Sequence, residues 1–555
     1  MKDSKNITVS QLLDHAATNY PNNDALVYPE RGLRYTYKEF WEVCNQFSKG
    51  LLKLGLKKGD HTAIWATNLP EWVIAQLGSA RTGAVLVTVN TSYKTNELEY
   101  LLKQSDSTTL IMIDSMKNTD YTSMIYELCP ELNKCKPGEL VSEKLPFLKN
   151  VIVIGDKQYP GMLTWNEVVK MGEDVSDEEL DARMAELEPD DVNMMIYTSG
   201  TTGFPKGVML THNNVILNAK DMAEGMNLSA EDRVCMPLPL FHCSGAVQGA
   251  ICCVATGAAM VLPAERFDPV KVLKTVEIER CTVLHGVPTI FIILLEQMEK
   301  EKFDTSSLRT GIVAGASCEL DILKKIESVL NIREIVYAYG QTETSPCITM
   351  TRVDDPPELR VSTVGRPLPG VEVKIIDPET EKEVAPGEQG EIRTRGYNVM
   401  KGYYKMPAAT AEVIDKDGWL RTGDLGIVDY SGFLRITCRL KDMIIRNGEN
   451  IYPREIENYL CTHPLVKEAQ VIGVPSAKHG EDVVAFVQLK EGAALTQEEL
   501  EDFCKGKIAS IKIPTHIAFV DSYPYTASGK VQKFKLRELV SKYLNLHEET
   551  MAEAI

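Results

Sequence analysis

The sequence of 555 residues predicts an α/β protein, and three observations support this class. Short apolar strands alternate with helices between residues 60 and 155, the pattern of a mostly parallel sheet covered by helices. Five later strands each end in a polar or glycine-containing loop, and shorter alternating strands follow after about residue 365. The chain is too long for one hydrophobic core, so we expect at least two domains.

The composition is that of a globular protein with an acidic surface. Apolar residues make up 44% of the chain and charged residues 25%, and the formal net charge is -18 at pH 7. This acidic balance argues against general nucleic-acid binding and against docking on anionic lipid. The thirteen cysteines include no C-x-x-C pair, which favours reduced thiols and a cytoplasmic location.

Two segments bear on targeting and membrane insertion. The N-terminal segment lacks the apolar region of a signal peptide, and Thr8 and Gln11 have the spacing of a capping box that opens an amphipathic helix. Residues 244–263 carry no charge, but they are rich in Gly and Ala and contain a Gln. We therefore expect a buried helix and strand there, and no membrane span.

The predicted elements between residues 60 and 155 show no internal repeat. The strands are short and rich in apolar or β-branched residues, and the intervening segments have helical composition. Their ranges are 61–68, 84–90, 109–114 and 150–155 for the strands, and 70–83 and 95–104 for the helices.

The five strands after residue 191 are followed by unusual loops. Ligands of open parallel sheets bind beyond the carboxyl ends of the strands, so we expect these loops to converge on one crevice. The strands and their loops are 192–197 with 198–203, 233–239 with 240–242, 282–285 with 286–288, 310–315 with 316–317, and 334–340 with 341–343.

The C-terminal part has an αββα character of its own. The sequence predicts a helix at 453–461, strands at 469–474 and 483–490, and a helix opened by a capping box of Thr496 and Glu499. A separate domain of about a hundred residues is within the usual size range. The predicted organisation is a large N-terminal domain at 1–438, a hinge at 439–441 and a C-terminal domain at 442–555.

The stretch YTSGTTGFPKG at residues 197–207 is suited to hold an anion. Its glycines allow backbone N–H groups to turn inward on phosphate oxygens, and its hydroxyl groups and Lys206 add donors and charge. It is not a Walker loop, because Gly200 is followed five residues later by Pro205. Composition alone would favour a flexible surface loop.

The complete string resembles the signature loop of the adenylate-forming superfamily, which contains acyl- and aryl-CoA synthetases, luciferases and peptide-synthetase adenylation domains. Further signatures follow in that family's order: PLPLFHCSG, GAS after GIVA, YAYGQTET, GWLRTGDLG, RLKDMIIRNGENIYPREIE and ASGKVQK. The resemblance runs from about residue 30 to the end. It implies an α/β fold with a large N-terminal domain of doubly wound mixed sheets plus a small barrel-like β subdomain, and a small mobile α+β C-terminal domain.

The resemblance also implies a two-step ligase reaction. A carboxylate attacks the α-phosphorus of ATP to give an acyl-adenylate and pyrophosphate, and the thiol of coenzyme A then displaces AMP. The implied cofactors are ATP, Mg2+ and coenzyme A. The implied partner is a small carboxylic acid, without stable membrane insertion, and the resemblance allows a homodimer.

The resemblance assigns nucleotide contacts to several motifs. Asp424 would accept hydrogen bonds from the ribose hydroxyls, and Arg439 would add a ribose or phosphate contact. Tyr339 would offer a flat face to adenine, and Gly315 would let the base approach the backbone. The full ATP-binding set is Thr198, Ser199, Gly200, Thr201, Thr202, Gly203, Lys206, Gly315, Tyr339, Gly340, Thr342, Asp424, Arg439 and Lys530.

The implied catalytic residues are Lys530, Thr342 and His242, and Glu343 is the implied metal ligand. Attack of a carboxylate on a phosphate brings two anions together, and the ammonium group of Lys530 would stabilise that transition state. Thr342 would touch the α-phosphate, and His242 would lie near the substrate carboxylate. Glu343 would bind Mg2+ that bridges the phosphates.

The second half-reaction is implied to use another arrangement of the small domain. Lys441 has the hinge position, and the C-terminal domain would rotate about it after adenylation and withdraw Lys530. Gly448 would line the tunnel for the pantetheine arm of coenzyme A, where a side chain would obstruct the thiol. The implied acyl-binding residues are Phe241, His242, Gly245, Val287 and Gly340.

The acid itself is less strongly indicated. Residues 68–105 and 129–155 look most like medium-chain fatty acyl-CoA synthetases and bacterial relatives, and the small residues after His242 would leave space for an apolar tail. We therefore expect a medium-chain fatty acid. The alternatives are an aryl acid, a stand-alone enzyme that loads a carrier protein, a luciferase-like oxidation, and a catalytically inactive nucleotide-binding protein.

Overall fold

The structure is a computed structural model that describes residues 6–198, 205–315, 318, 320–447, 449–476, 478–526 and 531–540. The chain forms two compact units, residues 1–373 with 394–420 and residues 374–393 with 421–555. Both units mix helices and strands, which confirms the predicted α/β class. The hinge at 439–441 lies within the second unit and stays a prediction.

The first unit contains a nine-stranded mixed sheet. Its central strands are parallel, and antiparallel strands cover both of its edges. In spatial order the strands are Arg366–Pro367, Thr349–Met350, Glu334–Tyr339, Thr310–Ala314, Val283–Leu284, Arg233–Cys235, Ala259–Val261, Asp24–Tyr28 and Leu33–Thr36.

An eight-stranded sheet in the same unit is parallel except at one edge. A hairpin and a two-residue strand add antiparallel pairs there. In spatial order the strands are Gly402–Tyr403, Lys206–Thr211, Val192–Thr198, Val85–Thr88, His61–Trp65, Ser107–Ile113, Asn150–Ile154 and Leu163–Thr164, and a separate short ribbon pairs Ser115–Met116 with Thr119–Asp120.

Most helices of the first unit bury apolar side chains, which is why they pack around these sheets. The capping box predicted at Thr8 and Gln11 is formed, with both of its hydrogen bonds present. The α-helices are Val9–Asn19, Tyr37–Lys53, Pro70–Thr82, Thr95–Gln104, Tyr121–Leu128, Trp165–Met171, Asp177–Ala185, His212–Gly225, Cys252–Thr256, Pro269–Glu279, Pro288–Lys300, Leu320–Leu330, Pro357–Ser362 and Pro407–Val413.

The uncharged run at 244–263 is buried as expected. It forms a π-helical segment Ser244–Ile251, the helix Cys252–Thr256 and the strand Ala259–Val261. Elsewhere in the core of the first unit, the buried rings of Trp65 and Tyr121 stack with centroids 3.5 Å apart. Among the described residues, no helix has both the length and the apolarity to cross a bilayer.

The second unit holds most of a four-stranded sheet and all of a five-stranded one. The strands of the four-stranded sheet are Val371–Ile376, Gln389–Gly396, Leu420–Val428 and Leu434–Arg439. Those of the other sheet are Glu449–Ile451, Ile444–Arg446, Gly480–Leu489, Val466–Ser476 and His516–Phe519. The helices Pro453–Cys461 and Gln497–Cys504 pack with this sheet, and the capping box of Thr496 and Glu499 is present.

Burial of His212 makes the stability of the first unit sensitive to acid. The side chain is 1% exposed, its Nδ1 accepts a hydrogen bond from the Val9 amide at 3.1 Å, and burial lowers the pKa of the imidazole to about 4. The unfolded state binds a proton near pH 6.5 and the folded state does not, so stability is present above pH 6.5 and lost as the pH falls towards 4.

We therefore expect His212 to account for a loss of about 2 kcal/mol in the free energy of unfolding between pH 7 and pH 5. Urea unfolding of the wild type and of His212→Asn measures this, because the Asn Oδ1 can still accept from Val9 but does not titrate. The control is His15→Gln, at an exposed position of the helix Val9–Asn19. Equal acid sensitivity of wild type and His212→Asn would contradict the assignment.

Candidate active site

Four of the five predicted strand ends lie at one edge of the nine-stranded sheet. The strands Arg233–Cys235, Val283–Leu284, Thr310–Ala314 and Glu334–Tyr339 are adjacent and parallel, so their carboxyl ends share that edge. The fifth strand, Val192–Thr198, lies in the eight-stranded sheet, where it pairs in parallel with Val85–Thr88. Two sheets therefore contribute to the site, and not one.

The proposed phosphate-binding loop connects a β-hairpin. Thr198 pairs with Lys206 at the end of the antiparallel ladder, so both residues lie at the base of the loop. The Tyr100 hydroxyl donates a hydrogen bond to the Pro205 carbonyl at 3.1 Å and fixes the returning strand. The predicted loop residues Ser199, Gly200, Thr201, Thr202 and Gly203 lie outside the described residues.

Tyr403 joins the hairpin to the strand end that carries Glu343. Its hydroxyl donates a hydrogen bond to Glu343 Oε1 at 2.8 Å, and Lys206 Nζ lies 4.8 Å from the centroid of its ring. Backbone bonds support this arrangement, since the Met400 amide donates to the Glu343 carbonyl and the Tyr404 amide to the Gly207 carbonyl. Lys206 and Glu343, which were predicted from separate motifs, therefore both contact the side chain of Tyr403.

The chain reverses tightly after Tyr339 and positions Thr342. The Ile348 amide donates to the Tyr339 carbonyl at 2.8 Å, and Thr342 begins a short 3-10 helix and is 6% exposed. A Cβ on Gly340 would lie 2.1 Å from the Pro346 carbonyl oxygen, so this glycine is required by close backbone approach. Gly315 is favoured by backbone conformation, because its φ of +84° lies in the left-handed region that residues with a Cβ rarely adopt.

His242 lies close to Thr342 through a neighbouring cysteine. His242 Nδ1 is 3.0 Å from Ser244 Oγ and 3.5 Å from Cys243 Sγ, and that sulfur is 3.8 Å from Thr342 Oγ1. The structure therefore brings together two of the three predicted catalytic side chains. The third, Lys530, lies outside the described residues, as does Gly448.

A small cleft lies beside the π-helical segment that follows His242. It is too narrow in this structure to admit a water molecule, and it is lined by Met236, Pro237, Leu238, Ser244, Gly245, Gly249 and His285. Most of this lining is apolar. Of the predicted acyl-binding residues, Gly245 borders the cleft, and Val287 is the N-cap residue of the helix Pro288–Lys300.

The two glycines that border the cleft, Gly245 and Gly249, lack a side chain for different structural reasons. A Cβ on Gly245 would lie 2.3 Å from the Pro239 carbonyl oxygen, so Gly245 is needed for backbone packing and not to make room for an acyl tail. A Cβ on Gly249 would instead lie 2.6 Å from Met236 Cε. Because Met236 is flexible, the space beside Gly249 can change with the rotamer of that side chain.

Two predicted ribose-binding residues pair with each other in the second unit. Asp424 and Arg439 are opposite each other on antiparallel strands, and Arg439 Nε lies 3.2 Å from Asp424 Oδ1. The Asp424 amide donates a hydrogen bond to Thr422 Oγ1 at 3.1 Å, which fixes the backbone at Asp424. Lys441 follows in the 3-10 turn Leu440–Asp442, where Asp442 accepts from Arg537 at 2.8 Å.

The environment of Glu343 fits a magnesium ligand. The Tyr403 hydroxyl donates to one carboxylate oxygen of Glu343, and no hydrogen bond or ion pair from the described residues reaches the other oxygen. No cluster of three or more His, Cys, Asp or Glu side chains that could enclose a metal occurs in the described part of the chain. Mg2+ commonly takes one or two carboxylates and completes its shell with phosphates and water, which suits a lone Glu.

Sequence reasoning missed Tyr403 and His285. Tyr403 is 60 residues from Glu343, and no local motif marks it. His285 ends the predicted strand 282–285, so its place before a loop of the site was a usable signal. The strand Lys206–Thr211 was also missed, because its pairing partner lies across the loop.

Comparison with protein families supports the arrangement. Residues 13–404 match the model of an AMP-binding enzyme, and residues 455–530 match the AMP-binding enzyme C-terminal domain. The chain is 54% identical over 539 residues to the putative acyl-CoA synthetase YngI of Bacillus subtilis, covering 97% of this chain and 98% of that protein. It is 41% identical to the medium-chain acyl-CoA ligase ACSF2, mitochondrial, of Danio rerio, covering 97% and 89%.

Solved structures with the same architecture include ligand complexes. ATP-bound MatB from Rhodopseudomonas palustris is 29% identical with a TM-score of 0.83, covering 96% of this chain and 99% of MatB. The anthranilate CoA ligase AuaEII in complex with anthranoyl-AMP is 26% identical with a TM-score of 0.84, covering 96% and 97%. One of these proteins holds the nucleotide substrate and the other an acyl-adenylate.

Proposed function

The chain belongs to the AMP-binding enzyme family and is an ATP-dependent acyl-CoA synthetase, and from this premise we propose that its acid is an aliphatic monocarboxylate of medium chain length. The carboxylate reacts with ATP to give an acyl-adenylate and pyrophosphate. Coenzyme A then takes the acyl group as a thioester and releases AMP.

The residue roles within the first unit form part of the proposal. Thr198 and Lys206, paired at the base of the hairpin loop, bind the β and γ phosphates as they leave. Thr342 contacts the α-phosphate, and His242, linked to it through Cys243, lies at the entrance for the acid. Glu343 holds Mg2+, which when bound neutralises part of the charge on the phosphates.

The apolar lining beside Gly249, where Met236 is free to change its rotamer, is the observation that carries the choice of acid. Met236, Pro237 and Leu238 supply carbon surface, and none of the residues that line the cleft has an ionisable side chain except His285. A second charged group on the substrate would be desolvated there without a counter-charge, which is costly. The similarity to ACSF2, a medium-chain acyl-CoA ligase, supports this proposal.

The test is release of AMP from ATP, Mg2+ and coenzyme A with straight-chain acids of two to sixteen carbons and with benzoate. We expect AMP release that depends on coenzyme A and peaks with an aliphatic acid of intermediate length, because each methylene that is buried against apolar side chains adds about 0.8 kcal/mol and methylenes that stay in water add nothing. A maximum with benzoate would favour an aryl-CoA ligase. Turnover on a carrier protein without dependence on coenzyme A would contradict the proposal.

A cytoplasmic location is proposed on the thiol chemistry. All thirteen cysteines are free thiols, and most are buried. Such a set is typical of a reducing compartment. Whether the chain forms a homodimer is tested by light scattering of the purified protein.

A further inference from the structure

Gln104 joins two chain segments of the candidate active site. It is the last residue of the helix Thr95–Gln104, and its Oε1 accepts a hydrogen bond from the Tyr197 hydroxyl. Its Nε2 donates a hydrogen bond to the Tyr404 carbonyl at 2.8 Å. Burial raises the pKa of the Tyr197 phenol, so the hydroxyl stays protonated and remains a donor, which agrees with this orientation of the Gln104 amide.

Both hydrogen bonds lie next to proposed phosphate ligands. Tyr197 directly precedes Thr198. The Tyr404 amide donates a hydrogen bond at 2.9 Å to the carbonyl of the residue that follows Lys206. Gln104 therefore restrains the backbone beside each of these two ligands, in one case directly and in the other through Tyr404.

The same helix holds the hairpin at a second point. Tyr100 lies one helical turn before Gln104 and on the same face, and its hydroxyl donates to the Pro205 carbonyl at 3.1 Å. The Tyr404 side chain is held as well, because its hydroxyl donates to Asp106 Oδ2 at 2.9 Å, two residues after Gln104. The C-terminal end of the helix and the residues after it therefore support the hairpin.

The hairpin does not need Gln104 in order to form. Its two strands are joined by a ladder of antiparallel pairs, which fixes them to each other. The Gln104 side chain adds the position of the hairpin relative to Tyr403, the residue before Tyr404. Because Tyr403 contacts Lys206 and Glu343, a change at Gln104 is expected to shift the cation relative to the carboxylate without unfolding the hairpin.

We propose that Gln104 is a positioning residue for the triphosphate of ATP and acts through the placement of Thr198 and Lys206. The inference rests on the phosphate roles that the proposed function gives to these two residues, and it assigns the group that holds them in place. AMP lacks the β and γ phosphates, so the loss of Gln104 should weaken the binding of ATP and spare that of AMP. A general disturbance of the fold would weaken the binding of both.

The experiment measures the affinity of the full-length protein for ATP with Mg2+ and for AMP by calorimetric titration. In Gln104→Met the side chain keeps its length and loses both hydrogen bonds, and we expect ATP affinity to fall about tenfold while AMP affinity changes by less than about twofold. The matched control is Gln46→Met in the helix Tyr37–Lys53, because the half-buried Gln46 also donates its Nε2 to a backbone carbonyl, that of Val169, at 3.0 Å. This control should leave both affinities unchanged.

Tyr197→Phe tests one of the two hydrogen bonds and keeps the ring. We expect ATP affinity to fall about threefold, again without an effect on AMP. The double variant with Gln104→Met should bind ATP no more weakly than Gln104→Met, since both changes remove the same bond. Thermal midpoints check that the variants fold, and if Gln104→Met does not fold, the comparison of ATP with AMP in Tyr197→Phe decides the question.

Lys206→Ala separates the inference from the phosphate roles on which it rests. Equal weakening of ATP and AMP binding in the Gln104 and Tyr197 variants would overturn the inference and leave those roles intact. Wild-type ATP affinity in Gln104→Met, together with weak ATP binding by Lys206→Ala, would do the same. Wild-type ATP affinity in Lys206→Ala would overturn both.

Discussion

Replacing Lys530 with alanine is expected to slow acyl-adenylate formation by about 10²- to 10³-fold while thioester formation from supplied acyl-adenylate continues. In the first step an anionic carboxylate approaches the α-phosphorus of ATP, and the Lys530 ammonium offsets the repulsion. In the second step the attacking group is a thiol and the leaving group is AMP, so the same cation is not required. Lys530 is assigned from the ASGKVQK motif and lies outside the described residues.

The two half-reactions can be measured separately. Pyrophosphate release with ATP and the acid reports adenylation, and consumption of coenzyme A with synthetic acyl-adenylate reports the transfer. Lys535→Ala is the matched control, because Lys535 is an exposed lysine five positions further along the chain. Equal loss of both half-reactions in Lys530→Ala would contradict the division of roles and the proposed hinge at Lys441.

Replacing Glu343 with glutamine is expected to lower adenylation by about 10²-fold and to weaken the binding of Mg2+ with ATP. The substitution removes the charge of the only acidic side chain assigned to the metal, but the amide oxygen can still accept the hydrogen bond from Tyr403. The fold should therefore be preserved. Tyr403→Phe keeps the ring beside Lys206 and loses only the hydroxyl, so we expect a smaller effect, below about tenfold.

Calorimetric titration with ATP, at low and high Mg2+, measures this effect independently of turnover. The control is Glu358→Gln, at an exposed carboxylate in the helix Pro357–Ser362. Wild-type affinity for ATP in the presence of Mg2+ in Glu343→Gln would refute the metal assignment. An effect of Tyr403→Phe as large as that of Glu343→Gln would mean that the phenol acts on the nucleotide directly and not by positioning Glu343.

Local patterns in the sequence predicted many elements closely. The helices Thr95–Gln104 and Pro453–Cys461 have the predicted bounds, and both capping boxes are formed. These features depend on residues within one or two turns of each other, so the sequence contains all the information that specifies them. The parallel pairing of His61–Trp65, Val85–Thr88, Ser107–Ile113 and Asn150–Ile154 in the eight-stranded sheet also followed from the alternation of strands and helices.

The residues of the candidate site were predicted by resemblance to a family, and not by local propensity. Motifs at Thr198, Thr342 and Asp424 were assigned through their resemblance to a family, and their chemistry could be argued from residue type. The reason for a glycine at position 245 could not be argued from residue type. The atom that excludes a side chain there is the carbonyl oxygen of Pro239, and only the folded backbone brings the two residues together.

The sequence by itself determined the α/β class, the family and the residues that carry phosphate and carboxylate chemistry. Only the tertiary structure decided that two sheets supply the site and that Tyr403 joins Lys206 to Glu343. The physical reason is separation along the chain. Local propensity acts over a few residues, whereas these contacts join strands and loops that are brought together only when the sheets assemble.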